Sequence, residues 1–240
     1  MTTDDVVAAR RLIVVAADAE ALEDFELLVA DVAGALDLVP APELFDREEG
    51  GETAMGRLLA RASSAAGPLL VLPVGGGHAG APGGARKRGA LRARMRRVLV
   101  SSDASEEVAA ATRSLHRRFT RAGVHLRMLH VMTADNTPRM WDGPGHHAAA
   151  WLDELRRRHG ASPEAMSVVG GQPAEQLHEH AGEADLVVLF WRRDSREGHA
   201  AVIRSLFARG IEVPKLLVPL EWMDGHPPPR RLPGATAASR

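Results

Sequence analysis

The chain has 240 residues, of which 45% are hydrophobic and 25% are charged, a composition typical of soluble globular domains. It contains no cysteine, which excludes disulfides, thiolate metal sites and cysteine nucleophiles. The acidic start lacks the basic flank and apolar core of a signal peptide, and no run reaches the roughly 18 apolar residues of a membrane span. We therefore expect a cytoplasmic protein without a membrane partner.

The formal net charge of −1 hides a strong charge polarity along the chain. Residues 1–52 carry 14 acids and 3 bases, whereas residues 53–102 carry 9 bases and no acid. Seven of those bases lie between Arg86 and Arg97. Such a cluster can bind nucleic acid or an acidic partner, but it has no interleaved aromatic residue to stack on bases. We favour a solvated Gly/Arg-rich linker over 76–95 and do not expect nucleic acid as a partner.

The first 75 residues predict a short α/β unit. The segment RLIVVAADAE (11–20) opens with an apolar strand, and PLLVLP (68–73) is another apolar strand between two prolines. Residues 19–37 predict an amphipathic helix. Its expected buried stripe comprises Leu22, Phe25, Val29, Val32 and Leu36.

From residue 96 onward, apolar runs of strand length alternate with amphipathic segments. The predicted strands are 98–102, 124–131, 166–171, 185–191 and 215–220. The main predicted helices are 105–122, 146–160, a helix that starts at Pro173, and 198–209. This alternation predicts a doubly wound parallel sheet over 96–222, and the Pro-rich remainder, 223–240, predicts a disordered tail.

The two halves resemble each other at both ends. At an offset of 85 residues, RLIVVAADAE aligns with RRVLVSSDAS (96–105), which places Asp18 over Asp103. PLLVLP and PKLLVP (214–219) each have two prolines separated by four residues. Because the first half spans only about 65 residues against about 120 in the second, we expect a tandem repeat whose degenerate first copy lacks roughly one βα unit.

A first half of this size has a thin core and exposes a hydrophobic terminal strand. Pairing of LLVLP (69–73) with LLVP (216–219) would cover both strands, and the prolines would confine the pairing to its middle. We therefore predict that the halves pack as an intramolecular pseudo-dimer. An ordinary homodimer is the alternative, and the sequence does not name a protein partner.

Three segments of the second half carry a family resemblance. They are RRVLVSSDASEEVAAATRSLHRRFTRAGVHLRMLHVM (96–132), VVGGQPAEQLHEHAGEADLVVLF (168–190) and VPKLLVPL (213–220). In order and spacing they resemble the universal stress protein family over about 125 residues. The resemblance implies a Rossmann-like sheet of five parallel strands, in the order 3-2-1-4-5, that dimerises through its last strand. It also implies a non-enzymatic stress-response or regulatory role.

The phosphate-binding part of that family is altered here. Its ATP-binding branch has a Gly-x-x-Gly loop after the fourth strand and a Gly-Ser or Gly-Thr pair further on, because glycines let backbone N–H groups approach the phosphates. This chain has Trp191 and Asp194 at or near the glycine positions, and Arg204-Ser205 at the final pair. We therefore expect no cofactor and no tight ATP binding; an ATP or AMP sensor with an altered loop is the alternative.

If a nucleotide does bind, the resemblance indicates which residues would meet it. Asp103 and Val131 end the first two strands of the second half, where the family contacts the base. The alternative is structural, with Asp103 capping a helix that starts near Ser105 and Val131 in the core. The full set of candidate residues is Ser101, Ser102, Asp103, Val131, Met132, Arg192, Arg193 and Ser205.

Metal binding and serine catalysis find little support. The chain has eleven histidines, but their closest pairs do not share a helix face as an i, i+4 pair would. Those pairs are His146 with His147 and His178 with His180. The serines around Asp103 lack a Gly-x-Ser-x-Gly elbow, and no base is placed beside them by the sequence.

An enzyme alternative rests on the first half. Its last strand runs into VGGGH, and with His78 it faintly resembles the small cobalt or iron chelatases of tetrapyrrole synthesis. That family carries another histidine directly after its first strand, where this chain has Ala16-Ala17-Asp18. The missing ligand argues against catalysis, so we expect no enzyme.

Overall fold

The computed structural model describes residues 11–16, 18–44, 58, 60–61, 67–73, 94–133, 146–192, 205 and 213–225. The strands are β1 Arg11–Ala16, β2 Val39–Leu44, β3 Leu69–Val71, β4 Arg97–Ser102, β5 His125–Met132, β6 Met166–Gly170, β7 Leu186–Trp191 and β8 Lys215–Pro219. The helices are α1 Ala19–Asp24, α2 Glu26–Leu36, α3 Glu106–Arg121, α4 His146–His159, α5 Pro173–Ala181 and α6 Leu220–Gly225. Within these ranges no helix is both long and apolar enough to cross a bilayer.

All eight strands form one sheet in the order β2-β1-β3-β8-β7-β4-β5-β6. The five strands of the second half therefore follow the order 3-2-1-4-5, and neighbours within this group are parallel. Every strand end in this half lies within one residue of its predicted position, as do both ends of α3 and α4. The predicted α/β fold class and strand order are confirmed.

The two halves are joined by the pairing of β3 with β8, the one antiparallel contact among the described strands. In this ladder Leu69 lies opposite Leu217, Leu70 opposite Leu216, and Val71 opposite Lys215. Pro68 and Pro214 stand just before the two strands, so the pairing is confined to three residues of each. The strand pairing expected from the sequence is present.

The first half contributes three strands, β2, β1 and β3, to the sheet. The described part of the second half contributes five. The edge strand β2, with the sequence VPAPEL, has no counterpart in the predicted elements because Pro40 and Pro42 weaken the strand signal. Proline is tolerated at an edge because only one side of the strand needs ladder hydrogen bonds.

Two apolar layers cover the sheet. On one face Val98, Val100 and Val188 pack with Leu115 and Phe119 of α3. On the other face Leu99, Leu129 and Leu189 pack with Leu177 of α5. The alternation along β4 and β7 matches strands buried on both faces, as parallel sheets require.

Helices from both halves also meet in the first layer. The buried Arg118 of α3 donates from Nη1 to the carbonyl oxygen of Leu36 at the end of α2, over 3.1 Å. Asp31 of α2 accepts the backbone N–H of Met95 at 2.9 Å. These contacts bridge the halves independently of the sheet.

Three predicted boundaries need comment. The predicted helix 19–37 is interrupted at Phe25, which separates α1 from α2. Residues 223–225 belong to α6 and Met223 is buried, so the ordered chain continues past the predicted start of the tail. The predicted linker up to residue 93, the tail from 226 and most of the helix at 198–209 lie outside the described residues.

Candidate functional site

The carboxyl ends of β5, β4 and β7 lie side by side at one edge of the sheet, because these strands are parallel neighbours. Ser101 and Ser102 end β4, Val131 and Met132 end β5, and Arg192 follows β7 directly. The fold therefore brings most of the predicted residues to one edge, where open α/β sheets bind ligands.

The turn after β4 is organised by side-chain hydrogen bonds. Ser105 is the N-cap of α3 and accepts the N–H of Val108 at 3.3 Å, while Asp103 accepts the N–H of Ser105 at 2.9 Å. Ala104 between them has a φ of 66°, a left-handed conformation that costs energy for a residue with a Cβ. Asp103 thus shapes the turn before the helix instead of capping it, which corrects the structural alternative in detail.

The residues that end β5 are largely engaged in the fold. Val131 is buried in the α5-side layer, as its structural alternative required. Met132 is half-buried, and its carbonyl oxygen accepts the N–H of Gly171 at 3.2 Å. Of these two residues, the half-buried Met132 is therefore the more accessible to a ligand at the strand ends.

Of the loop that follows β7, the structure describes only the start, Arg192, and one later residue, Ser205. Trp191, which the sequence places at or near the first glycine position of the family's loop, is buried in the α5-side layer. Arg192 forms an ion pair with Glu107 of α3 at 3.1 Å, which partly neutralises its charge. Ser205 is helical and half-buried, and Arg193 and Asp194 lie outside the described residues. None of the three described residues of this region, Trp191, Arg192 and Ser205, is a glycine that would let backbone N–H groups approach a triphosphate.

A buried polar cluster that the sequence did not predict lies beneath this edge. The Oγ of Ser102 is 2.8 Å from Nε2 of His159, and Nδ1 of His130 is 2.9 Å from the carbonyl oxygen of Ser102. Nδ1 of His159 is 2.9 Å from the carbonyl oxygen of Leu155. Since a carbonyl only accepts, each Nδ1 carries the proton, and the hydroxyl of Ser102 donates to the free lone pair of His159.

This geometry corrects the expectation that no base stands beside the serines, because His159 is placed against Ser102. Burial lowers the pKa of His130 and of His159, and hydrogen bonds to backbone carbonyls oppose this only in part. All three side chains are at most 5% exposed, so the hydroxyl is not open to a substrate. Ser102 and His159 are therefore arranged like a nucleophile and its base, but a substrate cannot reach them. We infer that the cluster stabilises the turn after β4.

Metal binding gains no support from the part of the chain that the structure describes. There, no three histidine or carboxylate side chains come together as a metal site would need. His146 and His147 lie in α4, and His178 and His180 in α5. His78, on which the chelatase alternative rests, lies outside the described residues.

No protein-family model matches the sequence, and no curated protein matches it. Among solved structures, a functionally unknown protein from Pseudomonas aeruginosa PAO1 is 11% identical, with a TM-score of 0.52 over 93% of this chain and 97% of that one. A putative universal stress protein from Pseudomonas aeruginosa UCBPP-PA14 is 13% identical, with a TM-score of 0.49 over 91% and 96%.

A universal stress protein solved in complex with cAMP is 21% identical, with a TM-score of 0.39; it covers 52% of this chain and 98% of its own. The chain shares its fold with the functionally unknown Pseudomonas aeruginosa PAO1 protein, and its strand order 3-2-1-4-5 is the order that the resemblance to the universal stress proteins implies. At such identities, however, the likeness concerns the fold alone, so the activity must be argued from the site.

Proposed function

We propose that this chain is a non-enzymatic universal stress-type protein that acts in a stress or regulatory response through protein contacts. The observation that supports the proposal is at the end of β7, where Trp191 is buried and Arg192 forms an ion pair with Glu107. In the sequence, Asp194 stands at or near the second glycine position of the family's loop, and its carboxylate would repel a phosphate group. The protein would then act by binding other proteins through its surface, and it would not hydrolyse a nucleotide.

We also propose that the two halves of the chain form an intramolecular pseudo-dimer. The ladder between β3 and β8 occupies the edge of the last strand, through which the resemblance implies dimerisation. The hydrogen bonds from Arg118 to Leu36 and from Met95 to Asp31 add contacts between the helices of the two halves. An intermolecular dimer through β8 is therefore disfavoured, and any further partner would use another surface.

A second candidate function is an AMP or ATP sensor with an altered phosphate loop. It is favoured by Asp103 and Val131, which stand at the ends of adjacent strands on one edge of the sheet. Contacts to a base at these strand ends do not require the glycine loop. Such a site would hold the nucleoside part and leave the phosphates largely in solvent.

Calorimetry with magnesium ATP, AMP and adenosine separates the two candidates. We expect no binding tighter than about millimolar, since the sequence lacks the glycines that let backbone N–H groups approach the phosphates. Micromolar binding of ATP would contradict the main proposal. In that case Asp103→Asn is the informative variant, because the amide oxygen can still accept the N–H of Ser105 while the carboxylate charge is removed.

A further inference from the structure

A concave surface lies at the amino-terminal ends of the strands, opposite the candidate nucleotide site. This cleft, which we call the amino-edge cleft, has a volume of about 360 Å³ and lies where β4 and β5 begin and α5 ends. Its apolar lining comprises Val98, Leu99, Leu126, Ala165 and Ala184. The other seven lining residues are polar or charged, and a cleft of this volume can hold a small molecule.

The polar groups of the cleft are mainly donors. Arg97, His125, Arg127 and His180 all line it. The side chain of Arg97 is 57% exposed, and its guanidinium is 3.8 Å from Asp185, at the outer limit of an ion pair. Nη2 of Arg127 lies 3.2 Å from Nδ1 of His180; because the guanidinium can only donate, Nδ1 accepts and Nε2 of this ring carries a proton.

Each acid around the cleft has donors of its own. Glu183 is held by Arg127 at 2.7 Å, and one oxygen of Asp185 accepts the backbone N–H groups of Arg96 and Arg97 at 3.0 and 2.9 Å. The pKa of Glu164 is lowered, first by a hydrogen bond from its own backbone and then by one from the Ser162 side chain. The acids therefore compete weakly for Arg97 and for the N–H of His180.

We propose that the amino-edge cleft binds a small organic anion, with an apolar body and a carboxylate or phosphate head group. Arg97 and Nε2 of His180 bind the head group by charge-assisted and neutral hydrogen bonds. The apolar body lies against Leu99 and Ala184. This site is at the opposite end of the strands from the candidate nucleotide edge and does not depend on the proposed function.

The experiment titrates the full chain with benzoate and with phenyl phosphate, and follows binding by amide and histidine NMR signals and by calorimetry. We expect dissociation constants on the order of millimolar for such small probes, with shifts at Ala184 and His180 and weaker binding at high salt. Arg97→Gln should weaken binding about tenfold or more. The matched control is Arg121→Gln, which removes an exposed arginine that does not line the cleft.

Preference for benzoate or for phenyl phosphate identifies the head group, and either result supports the site. Unchanged binding in Arg97→Gln, shifts confined to the carboxyl edge, or tighter binding of benzylamine would overturn the proposal. If Arg97→Gln does not fold, as judged by circular dichroism, His180→Leu provides the same test from α5. Adenosine should not displace either probe, and displacement would also contradict a separate site.

Discussion

At the scale of single residues, burial sets the response of His130 and His159 to pH. Both rings are kept neutral in the fold because burial lowers each pKa from the ordinary value of 6.5. Unfolded histidines bind protons as the pH falls below that value, and the folded chain does not. The stability that the two rings provide is therefore complete above about pH 6.5 and is lost as the pH falls through the folded pKa values.

We predict that the free energy of unfolding falls by up to about 1.4 kcal/mol per pH unit for each ring in this range. Urea unfolding between pH 8 and pH 5 measures it. His159→Gln retains an acceptor for Ser102 but takes no proton, so its profile should be flatter. His178→Gln, at an exposed position on α5, should keep the wild-type profile. Equal slopes in all three proteins would refute the assignment.

The sequence predicted that Ser102, Asp103 and Val131 lie at the carboxyl ends of neighbouring strands, because the end of each apolar run marks the end of a strand. It could not place His159 beside Ser102, since the two are 57 residues apart and only the packing of α4 on the sheet joins them. Similarly, Glu107 and Arg192 meet because α3 starts next to the end of β7. Contacts between side chains on different elements depend on tertiary packing and leave no periodic signal.

At the scale of elements, apolar patterning predicted the strands that are buried on both faces and missed β2. Its alternating prolines resemble a loop, and only pairing with β1 makes it a strand. The antiparallel contact between β3 and β8 was predictable because two apolar strands bounded by prolines each needed a cover. The pairing of β3 with β8 was thus inferred from two apolar strand edges that would otherwise be exposed to solvent. Such exposure is unfavourable whether or not the sequence is periodic.

Lys215, the first residue of β8, allows the energetic cost of burying a charged side chain to be measured. Lys215 is 3% exposed, and burial lowers its pKa from 10.5 to about 8. Because the unfolded lysine holds its proton up to about pH 10.5, stability should rise as the pH increases from 8 toward 10.5. We predict that Lys215→Met raises the free energy of unfolding by about 1–3 kcal/mol at pH 7 and abolishes this rise. Urea unfolding at pH 7, 8, 9 and 10 measures both effects; a destabilised variant that keeps the rise would refute the prediction.

The contact between α3 and α2 is tested at Arg118. Its guanidinium donates to the last carbonyl of α2 and lies 6.0 Å from the ring centre of Trp222. Arg118→Met keeps the apolar stem but leaves that carbonyl without this donor, so we predict a loss of about 1–3 kcal/mol in urea unfolding. Arg117→Met changes the exposed neighbour on the same helix and should cost less than about 0.5 kcal/mol. Similar losses in both variants would show that the bridge between the halves has no special role.

At the scale of the whole molecule, one continuous sheet unites a first half of three strands with a second half of five. The second half alone has the complete strand order of the fold, so the first half is not needed to define its topology. What the first half supplies is cover for β8 and for the outer surface of α3. The opposed charges of residues 1–52 and 53–102 add only a weak attraction, because salt screens exposed charges.

We therefore predict that residues 95–225, which keep α6 and its buried Met223, fold when expressed alone but behave differently from the full chain. The fragment exposes Leu216 and Leu217 at an unpaired edge and removes Leu36 from Arg118. An exposed apolar edge strand recruits another chain, so the fragment should dimerise with rising concentration while the full chain does not. Sedimentation velocity over a concentration series measures this, and thermal unfolding at the lowest concentration should show a lower midpoint than the full chain. A fragment that is monomeric throughout and as stable as the whole chain would mean that the two halves do not depend on each other and that the pseudo-dimer is wrong.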